Sequence, residues 1–125
     1  MNLLLDTHAL LWWLSDDSAL GADARSAIAD PDTQVFVSAA TAWEIAIKKA
    51  LGKLDAPDDL EEALGANGFQ PLPISVAHAL AAGRLPEHHR DPFDRMLIAQ
   101  AQLEELTVVT RDRVFAKYEV GLLDA

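Results

Sequence analysis

Asp6, Glu44, Asp94 and Asp112 stand where an apolar pattern should not tolerate a charge on its own. Asp6 ends the run "NLLL", Asp112 closes "LTVVTRD", and Glu44 and Asp94 follow the small or apolar residues of two helical patterns. A buried carboxylate without a partner is strongly unfavourable or takes up a proton, and several converging on one cleft repel each other. A divalent cation among them removes the conflict. Oxygen donors in a chain without cysteine favour Mg²⁺ or Mn²⁺ over zinc.

Each acid alone has an ordinary role. Asp6 can cap a helix starting near His8, Asp94 and Asp112 can sit near helix amino termini, and Glu44 can pair with Lys48 one turn on. Asp91, directly before Pro92, reads as a helix cap and ranks below Asp94. The combination carries the chemistry, provided the fold brings the acids together.

The elements that must do so alternate along the chain. Strand patterns cover residues 2–5, 34–37, 69–74 (the weakest) and 106–110, with a fifth in 118–124, and helical patterns cover 9–14, 21–29, 39–51, 59–66, 76–82 and 92–105. The third helix carries Ala39, Trp43, Ile47, Ala50 and Leu51 on one stripe after the cap Ser38. The last carries Phe93, Leu97, Ala101 and Glu104, with Met96 and Leu103 beside them. Short apolar strands separated by helices imply an α/β fold with a parallel sheet covered on both faces. Such sheets bind ligands at the carboxyl ends of their strands, where Asp6 and Asp112 emerge. Asp94 lies in the first turn of a helix expected beside the first strand. Glu44 is six residues past Ser38, about 9 Å along the axis, and leans back towards the amino terminus.

The 125 residues form one expected domain, 1–125, and half of them are hydrophobic, which excludes a disordered chain. The absence of cysteine removes disulfide frameworks, thiolate metal sites and cysteine nucleophiles. A net charge of −10 argues against broad adhesion to nucleic acid through a basic surface, so contact with a polyanion needs cations. No basic segment precedes the first leucines and no apolar run approaches the roughly 20 residues of a membrane span, so a cytoplasmic, membrane-free location is expected.

The blocks "LLLDTHALLWWL", "VSAATAWEIAIKKALGKL", "HHRDPFDRMLIAQA" and "TVVTRDRVF" resemble, in order and spacing, the four signature blocks of PIN-domain proteins, in particular the VapC-like ribonuclease toxins of type II toxin–antitoxin systems. The resemblance implies a three-layer α/β/α sandwich with a central, mainly parallel sheet and a metal-dependent ribonuclease acting on RNA phosphodiesters. Asp6, Glu44, Asp94 and Asp112 match the family's four acids in turn, and Thr7 and Thr110 match hydroxyl positions flanking the first and fourth. The fourth acid is the most variable in the family, and "DPFDR" offers both Asp91 and Asp94 for the third. A homodimer is also implied, with a cognate antitoxin whose tail blocks the metal site.

With this ligand set, a bound Mg²⁺ or Mn²⁺ lowers the pKa of its water and neutralises charge on the scissile phosphate. Asp6 and Asp94, with Asp112 directly or through water, are the expected metal ligands; Glu44 is the expected group to orient or deprotonate the attacking water. Arg90, Arg95, Arg111, Arg113, Lys48 and Lys49 lie close in sequence to the acids, and Arg95 and Arg111 are the expected phosphate contacts. The histidines give little: His88 and His89 are adjacent in a loop, a poor geometry for chelating one metal, and His78 falls on a small helix. Trp12 and Trp13 point about 100° apart on a helix, so one of them is expected to cover a partner.

Two other classes compete. An aspartyl-nucleophile phosphatase normally needs a second aspartate two residues after the first, where this chain has His8, and a downstream lysine that cannot be placed. A PIN-like scaffold without catalysis has no need to keep repelling charges in register. Which RNA is cut is not written in any short motif.

Overall fold

The computed structural model describes residues 1–125. Its strands are β1 (Asn2–Leu5), β2 (Gln34–Ser38), β3 (Gln70–Leu72), β4 (Thr107–Thr110) and β5 (Gly121–Asp124). Its α-helices are α1 (Thr7–Leu14), α2 (Ala22–Ala29), α3 (Ala39–Ala50), α4 (Leu60–Ala66), α5 (Val76–Arg84) and α6 (Pro92–Glu104), and a short 3-10 turn spans Arg113–Lys117. No helix is long and apolar enough to cross a membrane.

All five strands are parallel, in the order β3-β2-β1-β4-β5. The leucines explain the central position of β1. Leu3, Leu4 and Leu5 are fully buried, and because side chains alternate along a strand, Leu3 and Leu5 enter one core while Leu4 enters the other. The first core gathers Ala9 and Leu10 of α1, Ala24 and Ile28 of α2, Ile45 of α3 and Leu64 of α4 against Val35, Val37 and Val109. The second gathers Leu97, Ile98 and Ala101 of α6 with Val108, Phe115 and Tyr118. A sheet clothed by helices on both faces is the three-layer arrangement that the fully apolar strands require.

The chain moves from β1 outward through β2 to β3, then returns to the other side of β1 for β4 and β5. The carboxyl ends of β1 and β4 therefore flank the point where the winding reverses, which is where an open α/β sheet leaves a crevice. Asp6 and Asp112 follow those two ends.

Helix α3 is turned differently from the expected stripe. Its buried residues are Ala40, Thr41, Glu44 and Ile45, whereas Trp43 and Leu51 are each 63% exposed. The reason is chemical: the inward face of α3 carries Thr41 and Glu44, so hydrophobicity alone selects the wrong side. In α6 the expected Leu97 and Ala101 are buried, but Gln100 is fully buried as well, while Leu103 and Glu104 are exposed.

Candidate active site

Asp6 leaves β1 as the cap of α1, its Oδ1 accepting the Ala9 N–H at 2.8 Å. The carboxylate thus satisfies a helix end and also takes the Thr110 hydroxyl. The side chain is 7% exposed. Burial raises its pKa above the ordinary carboxylate value; the Thr110 hydroxyl, the Ala9 amide and the charge of His8 pull it down, and Asp112 pushes it up.

Glu44 reaches the same edge from the inward face of α3. Its Oε1 accepts a hydrogen bond from the Thr7 hydroxyl at 2.5 Å, and its Oε2 takes the Lys48 ammonium at 2.5 Å. The backward lean of helical side chains closes the distance from the Ser38 cap. In return Glu44 raises the Lys48 pKa, through the hydrogen bond first and its charge second, and Asp91 and Asp94 add to the rise.

Asp91 and Asp94 have different tasks. Asp91 Oδ1 caps α6, accepting the N–H groups of Phe93 at 2.8 Å and Asp94 at 3.2 Å. Asp94 caps nothing; its Oδ2 lies 2.8 Å from His89 Nε2. Burial and then the charge of Asp91 push Asp94 up to about 6, against the hydrogen bond and charge of His89, with Asp6 adding to the rise. Asp112 caps the 3-10 turn through Oδ1 to Val114 N–H at 2.9 Å, and its Oδ2 lies 3.4 Å from the same His89 nitrogen. The Thr110 hydroxyl accepts the Asp112 N–H at 3.1 Å, so one threonine bears on both Asp6 and Asp112.

The cluster suits a hard divalent cation. Asp6 and Asp94 both carry raised pKa values, chiefly because burial disfavours their charge, with neighbouring carboxylates adding to the rise. The donors are carboxylate oxygens with one imidazole nitrogen, and an atom each of His89, Asp94 and Asp112 lie within 4.8 Å of one another. His89 was invisible as a site residue because its adjacency to His88 argued against chelation. In the fold the two rings part, His88 going to Tyr118 and His89 to Phe115 and the acids.

The two expected phosphate contacts are committed elsewhere. Arg95 donates to four backbone carbonyls, those of Ala82 (2.8 Å), Leu85 (3.0 Å), Pro86 (3.1 Å) and His89 (3.1 Å), and so ties down the α5–α6 loop. Arg111 binds the carbonyls of Ala19 and Ala125 and lies 4.4 Å from the centre of the Trp12 ring. Lys49 is held by Asp58 and two carbonyls. Arg90 and Arg113 are exposed, with no ion pair within the chain.

Residues 3–121 match the family model of the PIN domain. Over 119 residues the chain is 30% identical to ribonuclease VapC22 of Mycobacterium tuberculosis, the alignment covering 90% of this chain and 88% of that protein. The fold is similar to the crystal structure of VapBC2 from Rickettsia felis bound to a DNA fragment from their promoter, with a TM-score of 0.72 at 13% identity over 98% of both chains. It is also similar to a toxin–antitoxin complex from Klebsiella pneumoniae, with a TM-score of 0.68 at 22% identity over 98% of this chain and 96% of that one.

Proposed function

Because this chain belongs to the PIN-domain family, we propose that it is a VapC-like ribonuclease toxin, an endoribonuclease that hydrolyses RNA phosphodiester bonds and is restrained by a cognate antitoxin. One observation carries the chemistry: Asp94 and Asp112, arriving on different elements at the carboxyl edge of the sheet, bring carboxylate oxygens within 4.8 Å of each other and of the His89 ring, with the charge of buried Asp6 bearing on both. The relation to VapC22 and to toxin–antitoxin complexes supports the substrate and the partner.

Asp6, Asp94 and Asp112 would hold Mg²⁺ or Mn²⁺. When bound, such an ion acidifies a water and neutralises charge on the scissile phosphate. Glu44, fixed by Thr7 and Lys48, orients the attacking water and accepts its proton. Thr110 holds Asp6 and the Asp112 backbone in register. With Arg95 and Arg111 engaged by backbone carbonyls and Lys48 by Glu44, the phosphate grip falls to Arg90 and Arg113, exposed cations close in sequence to the acids.

The chain works as a single domain, pairs as a homodimer and meets its antitoxin beside the acids. A groove of about 550 Å³ between α1 and the α3–α4 loop, lined by His8, Leu11, Trp12, Leu14 and Pro57 among others, begins one residue from Thr7. Trp12 borders this groove, whereas Trp13 hydrogen-bonds Asn67 and packs on Phe69. Antitoxin binding should therefore change Trp12 fluorescence; an unchanged spectrum in the complex removes Trp12 from the interface.

The deciding experiment is cleavage of total cellular RNA by the purified protein with Mg²⁺ or Mn²⁺, beside an EDTA control and the Asp6→Asn and Asp94→Asn variants. Discrete metal-dependent fragments, absent with both variants, are expected. Full cleavage by either variant overturns the assignment.

A further inference from the structure

Residue 89 lies outside the regular elements, in the loop between α5 and α6, yet its backbone is tied on both sides. Its N–H donates to the Tyr118 hydroxyl at 2.9 Å, and that hydroxyl donates onward to the Pro86 carbonyl at 2.6 Å. Its carbonyl accepts from Arg95 at 3.1 Å. The ring then stands edge-on to Phe115, centroids 6.0 Å apart at 73°. Three side chains from other parts of the chain thus fix a loop residue whose only outward feature is its imidazole.

That imidazole meets two acids from two elements through one atom. His89 Nε2 is 2.8 Å from Asp94 Oδ2 and 3.4 Å from Asp112 Oδ2. A single ring N–H points along one line and serves one carboxylate well, so with Asp94 taking that line the 3.4 Å approach of Asp112 is not a directed hydrogen bond. Ligand spacing explains both: adjacent donors of an octahedral ion at about 2.1 Å stand about 3 Å apart. The Nδ1 side permits the required tautomer. The Asp91 N–H reaches Nδ1 at 3.5 Å, the limit of a hydrogen bond, so little is lost when the ring proton sits on Nδ1 and Nε2 is free to ligate.

We propose that His89 is a nitrogen ligand of the metal centre beside Asp94 and Asp112, and that it biases the centre towards Mn²⁺ over Mg²⁺. This rests on the metal-dependent nuclease reading. Imidazole suits transition metals, whereas Mg²⁺ prefers oxygen and water, so one nitrogen among carboxylates shifts selectivity without abolishing Mg²⁺ binding.

Electron spin-echo spectroscopy of Mn²⁺ bound to the full chain tests this without an activity assay. A ¹⁴N coupling is expected, replaced by a ¹⁵N pattern in protein made with [¹⁵N]histidine, lost in His89→Gln and kept in His8→Gln. Calorimetry should show Mn²⁺ affinity falling about tenfold or more in His89→Gln, with Mg²⁺ affinity changed far less. The labelled wild-type measurement stands even if the variant misfolds. Bound Mn²⁺ with no histidine coupling, or a coupling retained in a folded His89→Gln, overturns the ligand while leaving the nuclease reading intact. Absence of Mn²⁺ binding, or binding indifferent to Asp6→Asn and Asp94→Asn, overturns both.

Discussion

The Thr7 hydroxyl and the Glu44 carboxylate are joined by a 2.5 Å hydrogen bond that links the first residue of α1 to the inward face of α3. It is one of two restraints on Glu44; the other, Lys48, sits on the same helix. Thr7 is therefore what registers Glu44 against β1 and Asp6. A hydrogen bond to a charged group contributes about 1.5–3 kcal/mol, so Thr7→Val, which keeps the shape and removes the donor, should lower kcat about 10- to 100-fold. Thr7→Ser should retain most activity, and calorimetric Mn²⁺ affinity should hold in both. A Thr7→Val enzyme cleaving at the wild-type rate would show that Glu44 does not depend on this hydroxyl.

Asp6→Asn should separate activity from stability. The amide oxygen still accepts the Ala9 N–H, while the carboxylate charge that burial disfavours is gone. Metal affinity and RNA cleavage should fall about 100-fold or more, since the metal's charge stabilisation is worth several kcal/mol. The metal-free Tm at pH 7 should stay level or rise. A clear drop in Tm would mean the carboxylate is held in place for the fold.

Asp94 sets a pH window. Its pKa of about 6 in the fold, against 3.8 for the ordinary group, means that between those values the native carboxyl keeps a proton the unfolded chain has released. Stability of the metal-free protein contributed by this group is therefore highest below pH 4 and falls as pH rises to 6, by about 2–3 kcal/mol. Metal binding follows the opposite slope because the ion displaces that proton, so affinity should climb through pH 6 and flatten above it. Denaturant melts and calorimetry from pH 4.5 to 7.5 check both slopes; a metal affinity flat across that range removes Asp94 from the ligand set.

The order of elements was legible because the leucine run of β1, the valines of β2 and β4 and the Ser38 and Asp91 caps are local signals. The four acids were legible for the same reason: each interrupts an apolar pattern at an element boundary or on an inward face. What was not legible depends on contacts between segments distant in sequence. Helix α3 was read outside-in because its inward face carries the polar Thr41 and Glu44 while the larger Trp43 and Leu51 stay exposed. His89 looked idle beside His88, and only the Tyr118 and Arg95 anchors, from 29 residues and six residues away, turn it towards the acids.

Arg95 gives the sharpest contrast between a structural and a substrate role. Its guanidinium serves four carbonyls across Ala82, Leu85, Pro86 and His89, a fork that the point charge of lysine cannot reproduce. Arg95→Lys should lower stability by about 2–3 kcal/mol by leaving half-buried carbonyls without donors. Because one of them belongs to His89, metal affinity should weaken with it. Arg90→Ala, which removes an exposed side chain with no ion pair, should leave the Tm unchanged and weaken RNA binding at low salt. Phosphate binding by Arg95 would give the reverse pattern, an unchanged melt and a salt-dependent loss of RNA affinity, and paired melting and RNA-binding curves for the two variants decide between them.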